Sequence, residues 1–147
     1  MPTVSRARSL RASPDEVWRV VSDPERLPDW WPGVARVEEV SSGAWTKVLT
    51  SPRGKPVRAD YSVVESEAPR RLVWRHEVEE SPFERILAES LTEIELGPAD
   101  GGTRVTLTVR QRPRGWARFS PFQLRRAATR QVEGALEGLA GLIGEEG

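Results

Sequence analysis

The 147-residue chain contains no cysteine and a single histidine, His76. Without cysteine there is no disulfide framework, no thiolate nucleophile and no cysteine-ligated zinc or iron–sulfur centre. The lone histidine has no metal-ligand spacing around it, and neither a glycine-rich phosphate loop after a strand nor a serine elbow occurs. Nucleotide hydrolysis, metalloenzyme and serine-hydrolase chemistry are set aside on these grounds, and neither cofactor nor metal is expected. No apolar run approaches the roughly 20 residues of a membrane span, and the amino-terminus lacks the apolar stretch of a signal peptide. The chain therefore reads as a cytoplasmic protein, not an integral membrane protein, forming one domain over residues 1–147. Either a monomer or a homodimer fits.

Acidic residues are absent from one long stretch. Residues 101 to 132 carry eight arginines, Arg104, Arg110, Arg112, Arg114, Arg118, Arg125, Arg126 and Arg130, and no aspartate or glutamate. A patch for anionic lipid, nucleic acid or an acidic partner would look like this. The plainer reading is cross-strand pairing with the acidic strand before it: a hairpin closed through residues 97–102 sets Glu95 opposite Arg104 and Glu89 opposite Arg110. That pairing leaves Arg112, Arg114 and Arg118 on the following loop as the candidate contact for an anionic surface or a protein partner. No nucleic acid is expected, because the arginines lack interleaved aromatics on a shared strand face.

Helix signals are present at three places. Ser13-Pro14-Asp15-Glu16 combines an N-cap hydroxyl, a proline at the position where a missing N–H costs nothing, and a capping-box glutamate, so a helix starts at Pro14. Asp23-Pro24 repeats the signal for a second short helix, which Pro28 should limit. Ser120-Pro121-Phe122-Gln123 opens a long final helix with Ala128, Val132, Ala135, Leu139 and Leu142 on one stripe. Gly134, Gly138 and Gly141 form a second stripe whose missing side chains suit close packing.

Between these helices the pattern has period two. Strands are expected near 34–41, 44–50, 57–65, 70–79, 83–96 and from 103 onward. Leu72, Trp74, His76 and Val78 share one face, as do Ile86, Ala88, Ser90, Thr92, Ile94 and Leu96, and Val105, Leu107 and Val109. A sheet apolar on one side must be covered, and the final helix is the cover. Register across the turn at 65–69 sets Tyr61 near Trp74 and Ala59 near His76; on the other side His76 lies near Ile86 and Trp74 near Ala88. The face then combines apolar walls with a hydroxyl, an imidazole and an indole N–H, the make-up of a small-molecule site. Core filling is the alternative for Tyr61 and Trp74.

The order of elements, together with ASPDEVWRVVSDPERLPDWWPGV, APRRLVW and LTEIELGPADGGTRVTLTV, resembles the SRPBCC or START-like superfamily, in particular its bacterial polyketide cyclase/dehydratase-like branch. The resemblance implies an α+β helix-grip fold, in which a curved antiparallel sheet of about seven strands wraps round the C-terminal helix and leaves a cavity for a hydrophobic ligand. The expected ligand wall comprises Trp31, Tyr61, Trp74, His76, Ile86, Ala88, Ile94, Leu107, Val132 and Leu139. Access is expected where Trp30-Trp31 meets the 112–121 loop. Arg8 shares a strand face with Val4 and Leu10 and is a candidate anion anchor, unless it snorkels past the sheet edge. Three functions follow: binding of a small hydrophobic or lipid-like molecule, a cyclase/dehydratase in which Tyr61 or His76 moves a proton, or an interaction module using the arginine-rich loop.

Overall fold

The computed structural model describes residues 3–144 apart from 52, 80 and 120. Strand β1 (Thr3–Leu10) leads into helix α1 (Pro14–Val21), a 3-10 turn over Pro24–Arg26 and a one-turn helix α2 (Leu27–Trp30). Strands β2 (Val34–Ser41), β3 (Ala44–Thr50), β4 (Pro56–Glu67), β5 (Arg71–His76), β6 (Leu87–Ala99) and β7 (Gly102–Pro113) follow. A second 3-10 turn (Gly115–Phe119) precedes the long helix α3 (Pro121–Ile143). The strands form one antiparallel sheet in the order β1-β7-β6-β5-β4-β3-β2. This is the seven-stranded architecture that the sequence implies.

The first helix is capped as expected: Ser13 Oγ accepts from the Glu16 backbone N–H at 3.2 Å. Asp23 caps the 3-10 turn by accepting from Glu25 N at 3.1 Å. Pro28 does not end the second helix. It occupies the first turn of α2, where its missing N–H leaves no bond unmade. The expected cap at Ser120 lies outside the described residues.

The core lies between the inner face of the sheet and α3. Val132, Ala135 and Leu139 are fully enclosed there, whereas Leu142, expected on the same stripe, is exposed. Gly138 is required by packing, because a Cβ at that position would fall 2.3 Å from the Trp30 carbonyl oxygen. A Cβ on Gly134 would strike Pro32 at 2.7 Å. Both glycines let α3 press against the Trp30–Pro32 segment; Gly141 has open space around it.

Three strand registers differ from expectation. Tyr61 faces His76 rather than Trp74, because β4 runs on to Glu67 and carries a bulge between Val63 and Glu65. Trp74 faces Thr92 rather than Ala88. The stretch 83–86 turns before β6 begins, so His76 and Ile86 are not strand partners. In the last hairpin Ala99 pairs with Gly102, leaving a two-residue Asp100-Gly101 turn with Gly101 at φ 75°. That shifts the register by two residues, so Arg104 faces Gly97 and Glu89 faces Arg112.

Candidate functional site

A cavity of about 170 Å³ opens between the sheet and the first turns of α3. Its sheet side is built by Leu49 of β3, Tyr61 of β4, His76 of β5, Ser90 and Thr92 of β6, and Val109 and Gln111 of β7. Trp31 closes one end after α2, and Phe83, Ile86 and Leu87 contribute from the turn before β6 and its first residue. Leu124, Ala127, Ala128 and Gln131 form the helix side. The wall is mostly apolar, with the polar groups of Tyr61, His76, Ser90, Thr92, Gln111 and Gln131 available to orient a bound molecule.

Of the wall expected from sequence, Trp31, Tyr61, His76 and Ile86 meet at this cavity. Trp74, Ile94, Leu107, Val132 and Leu139 are packed in the core beside it and do not line it. Ala88 borders a separate surface hollow with Arg75 and Glu79. The cause is the irregularity between Leu87 and Glu89, which brings Leu87 to the cavity in its place. Arg8 lies opposite Val105 on the edge strand β1, away from the cavity lining. Arg6, two residues earlier on the same strand, lies 3.6 Å from Glu133 of α3.

Aromatic contacts dominate one end. The Tyr61 and His76 rings stack at 4.7 Å with planes 18° apart, and Phe83 meets the imidazole edge-on at 4.7 Å. Trp74 touches Trp30, Trp31 and Trp45 with centroids 5.2–6.3 Å apart. Among these rings lies Lys47, only 1 % exposed. Its Nζ sits 4.2 Å from the centroids of both Trp31 and Tyr61 and 5.2 Å from that of Trp74. No carboxylate of the described residues pairs with it. Burial pushes the ammonium pKa down to about 7, although three ring faces favour the cation and oppose the shift. Sequence reasoning missed this residue. The signal was the alternation Trp45, Lys47, Leu49, which places a lysine on the inward face of β3.

Burial and the nearby Lys47 charge push the His76 pKa down to about 4 against the pull of Asp60 and Glu77, so the imidazole is neutral at pH 7. Its Nε2 has no hydrogen-bond partner among the described residues; the same holds for the indole N–H groups of Trp30 and Trp45. Burial pushes the Tyr61 hydroxyl up, keeping it protonated. The site thus offers a neutral imidazole and a protonated phenol, and among the described residues no carboxylate lines it. Among the described residues no cluster of histidine, aspartate and glutamate could hold a metal ion.

The arginine stretch is more fully paired than expected. Arg110 bonds Glu93 at 2.5 Å and Arg112 bonds Glu89 at 2.9 Å, while Arg114 lies 3.6 Å from Glu84. The pairing therefore takes two of the three loop arginines left over by the sequence reading, and Arg118 alone of those three is without a carboxylate among the described residues. Among the described residues no helix is long and apolar enough to cross a membrane.

No curated protein sequence matches the chain. Among solved structures, one from Thermus thermophilus superposes with a TM-score of 0.77 at 22% identity, covering 97% of both chains. A START superfamily protein from Mycobacterium smegmatis superposes at 0.75 with 14% identity over 96% of both chains. The di-domain aromatase/cyclase StfQ of the steffimycin biosynthetic pathway gives 0.75 at 13% identity, over 96% of this chain and 50% of its own. At these identities the likeness is one of fold. The sequence profile of the family described as polyketide cyclase/dehydrase and lipid transport matches residues 1–144. The chain belongs to that family.

Proposed function

We propose that this protein binds a small, largely hydrophobic molecule in the cavity between the sheet and α3. The observation that carries the reading is the cavity itself, about 170 Å³ with an aromatic end and a few separated polar groups. Sites for drug-sized ligands begin near roughly 300 Å³, so the occupant is a compact molecule or one arm of a larger one. Desolvation against Trp31, Leu49, Phe83, Ile86 and Val109 supplies affinity, at roughly 25 cal/mol per Å² of apolar surface buried. Tyr61, Ser90, Thr92, Gln111 and Gln131 supply orientation. The test is native mass spectrometry of the purified protein after incubation with a small-molecule extract of its source cells. A retained mass that the cavity-filling variant Ala128→Leu loses supports binding; a bare protein mass under all conditions contradicts it.

A second reading rests on one specific feature, the unpartnered Nε2 of a neutral histidine at the cavity wall. In a cyclase or dehydratase His76 would accept a proton and the protonated Tyr61 would donate a hydrogen bond to a carbonyl oxygen. This reading requires turnover of a poly-carbonyl substrate that His76→Gln or Tyr61→Phe reduces by about a hundredfold. Turnover unchanged in both variants removes it.

A further inference from the structure

The outward face of the start of α3 has a chemistry that neither the cavity nor the sheet uses. Phe119, in the 3-10 turn, is 85 % exposed and Phe122, in the first turn of α3, is 67 % exposed, the two most exposed large apolar side chains described. Phe122, Arg126 and Arg130 follow one another at intervals of four residues and so form one row on the helix. Phe122, Arg125, Arg126, Thr129 and Arg130 together border a shallow surface hollow. The Arg126 guanidinium lies 4.9 Å over the Phe122 ring, and that of Arg118 lies 6.0 Å over the Phe119 ring.

Charge on this face is uncompensated. Arg110, Arg112 and Arg114 are matched to Glu93, Glu89 and Glu84, and Arg125 donates to the Thr3 carbonyl oxygen at 3.1 Å. Among the described residues no carboxylate pairs with Arg118, Arg126 or Arg130, and the sequence from 101 to 132 contains none. Two exposed rings set among cations of one sign are an unfavourable surface in water. They suit an anionic lipid–water interface, where rings enter the acyl boundary and guanidinium groups stay among the phosphates.

We propose that Phe119 and Phe122, with Arg118, Arg126 and Arg130, form a docking surface for an anionic lipid bilayer. An RNA strand fits less well, because Arg126 already covers one face of the Phe122 ring on which a base would stack. The opposite side of the same turns, Leu124, Ala127, Ala128 and Gln131, lines the cavity. A docked bilayer would therefore lie about one helix diameter, roughly 10 Å, from the cavity. The docking surface does not depend on what the cavity holds.

The test is flotation of the full chain with vesicles of equimolar phosphatidylglycerol and phosphatidylcholine, beside vesicles of phosphatidylcholine alone. Binding is expected to the anionic vesicles only and to weaken as salt is raised. Arg118→Ser/Arg126→Ser/Arg130→Ser should weaken it at least about tenfold, since each surface cation is worth roughly a factor of five. Phe119→Ser/Phe122→Ser should also weaken it, whereas Arg112→Ser/Arg114→Ser should bind as the parent does. All these side chains are on the surface, and unchanged circular dichroism would establish that the variants fold. Absence of flotation with anionic vesicles overturns the proposal. So does flotation indifferent to the phenylalanine variant, or displacement from vesicles by single-stranded polyuridine that binds the same arginines more tightly.

Discussion

Tyr61 and His76 stand opposite one another on β4 and β5, and their rings stack 4.7 Å apart at the cavity wall. They are the only tyrosine and the only histidine in the chain. With Lys47 on the Tyr61 ring and Phe83 on the imidazole, the pair joins the buried cation to the open space of the cavity.

Lys47 should make stability depend on alkaline pH. Its pKa is about 7 in the folded protein against 10.5 for an ordinary lysine. Between those values the unfolded chain binds a proton that the folded chain lacks, so this group's contribution to stability rises with pH across that window. Below pH about 7 its full penalty applies, on the order of several kcal/mol. Lys47→Met should therefore stabilise the protein near neutrality and lose that advantage toward pH about 10. Urea unfolding at both pH values measures this; destabilisation by Lys47→Met at every pH would mean that the three rings hold a needed cation.

Glu93 governs the acid side. It is 8 % exposed on the outer face and accepts from Arg71 at 2.6 Å and Arg110 at 2.5 Å. Burial raises its pKa, but the bonds from Arg110 and Arg71 outweigh that effect and hold it below the usual carboxylate value. Its stabilisation is present above the unfolded pKa of about 4.3 and is lost as pH falls through the lower folded value. Both arginines are partly exposed, which limits the cost of Glu93→Gln to about 1–2 kcal/mol in thermal unfolding at pH 7. A loss that does not shrink as pH is lowered through the acid range would contradict the assignment, because protonation removes the charge that the two arginines hold.

Two glycines on α3 should respond with opposite signs. Gly138→Ala would drive its methyl into the Trp30 carbonyl and force α3 away from α2, at a cost of several kcal/mol. Gly141→Ala meets nothing within 4 Å and should stabilise by up to about 1 kcal/mol through helix propensity. Denaturant midpoints decide the matter; equal effects would remove the packing argument.

Trp74→Ala should act through the core. The ring is 2 % exposed and touches three other tryptophans without lining the cavity, so its loss should cost about 3–5 kcal/mol of stability. Ligand retention should fall chiefly because Trp31 loses support. Retention abolished with no change in unfolding free energy would instead make Trp74 part of the wall.

Local chemistry made much of the fold legible. The cap-plus-proline pairs at Ser13-Pro14 and Asp23-Pro24 mark short helices because side-chain oxygens there meet backbone N–H groups that have no helical partner. Alternation placed Tyr61, Trp74 and His76 on the inner face. It did not fix how strands slide past one another, since a shift of two residues preserves every face. The two-residue Asp100-Gly101 turn, the β4 bulge and the turns over 83–86 set the registers, and these decided that Leu87 lines the cavity and Ala88 does not. Alternation with Trp45 and Leu49 puts Lys47 on the inward face, but what a cation does there follows only from the rings that enclose it, which come from three other segments.

The proposed function stands or falls on whether a small molecule occupies the cavity against Tyr61 and His76. One tyrosine and one histidine mean that selective ring labelling gives one set of resonances for each. The decisive experiment is the nuclear magnetic resonance spectrum of the doubly labelled protein with and without a small-molecule extract of its source cells. Occupancy predicts that both rings shift together and that Ala128→Leu abolishes the change; spectra identical with and without the extract would contradict it.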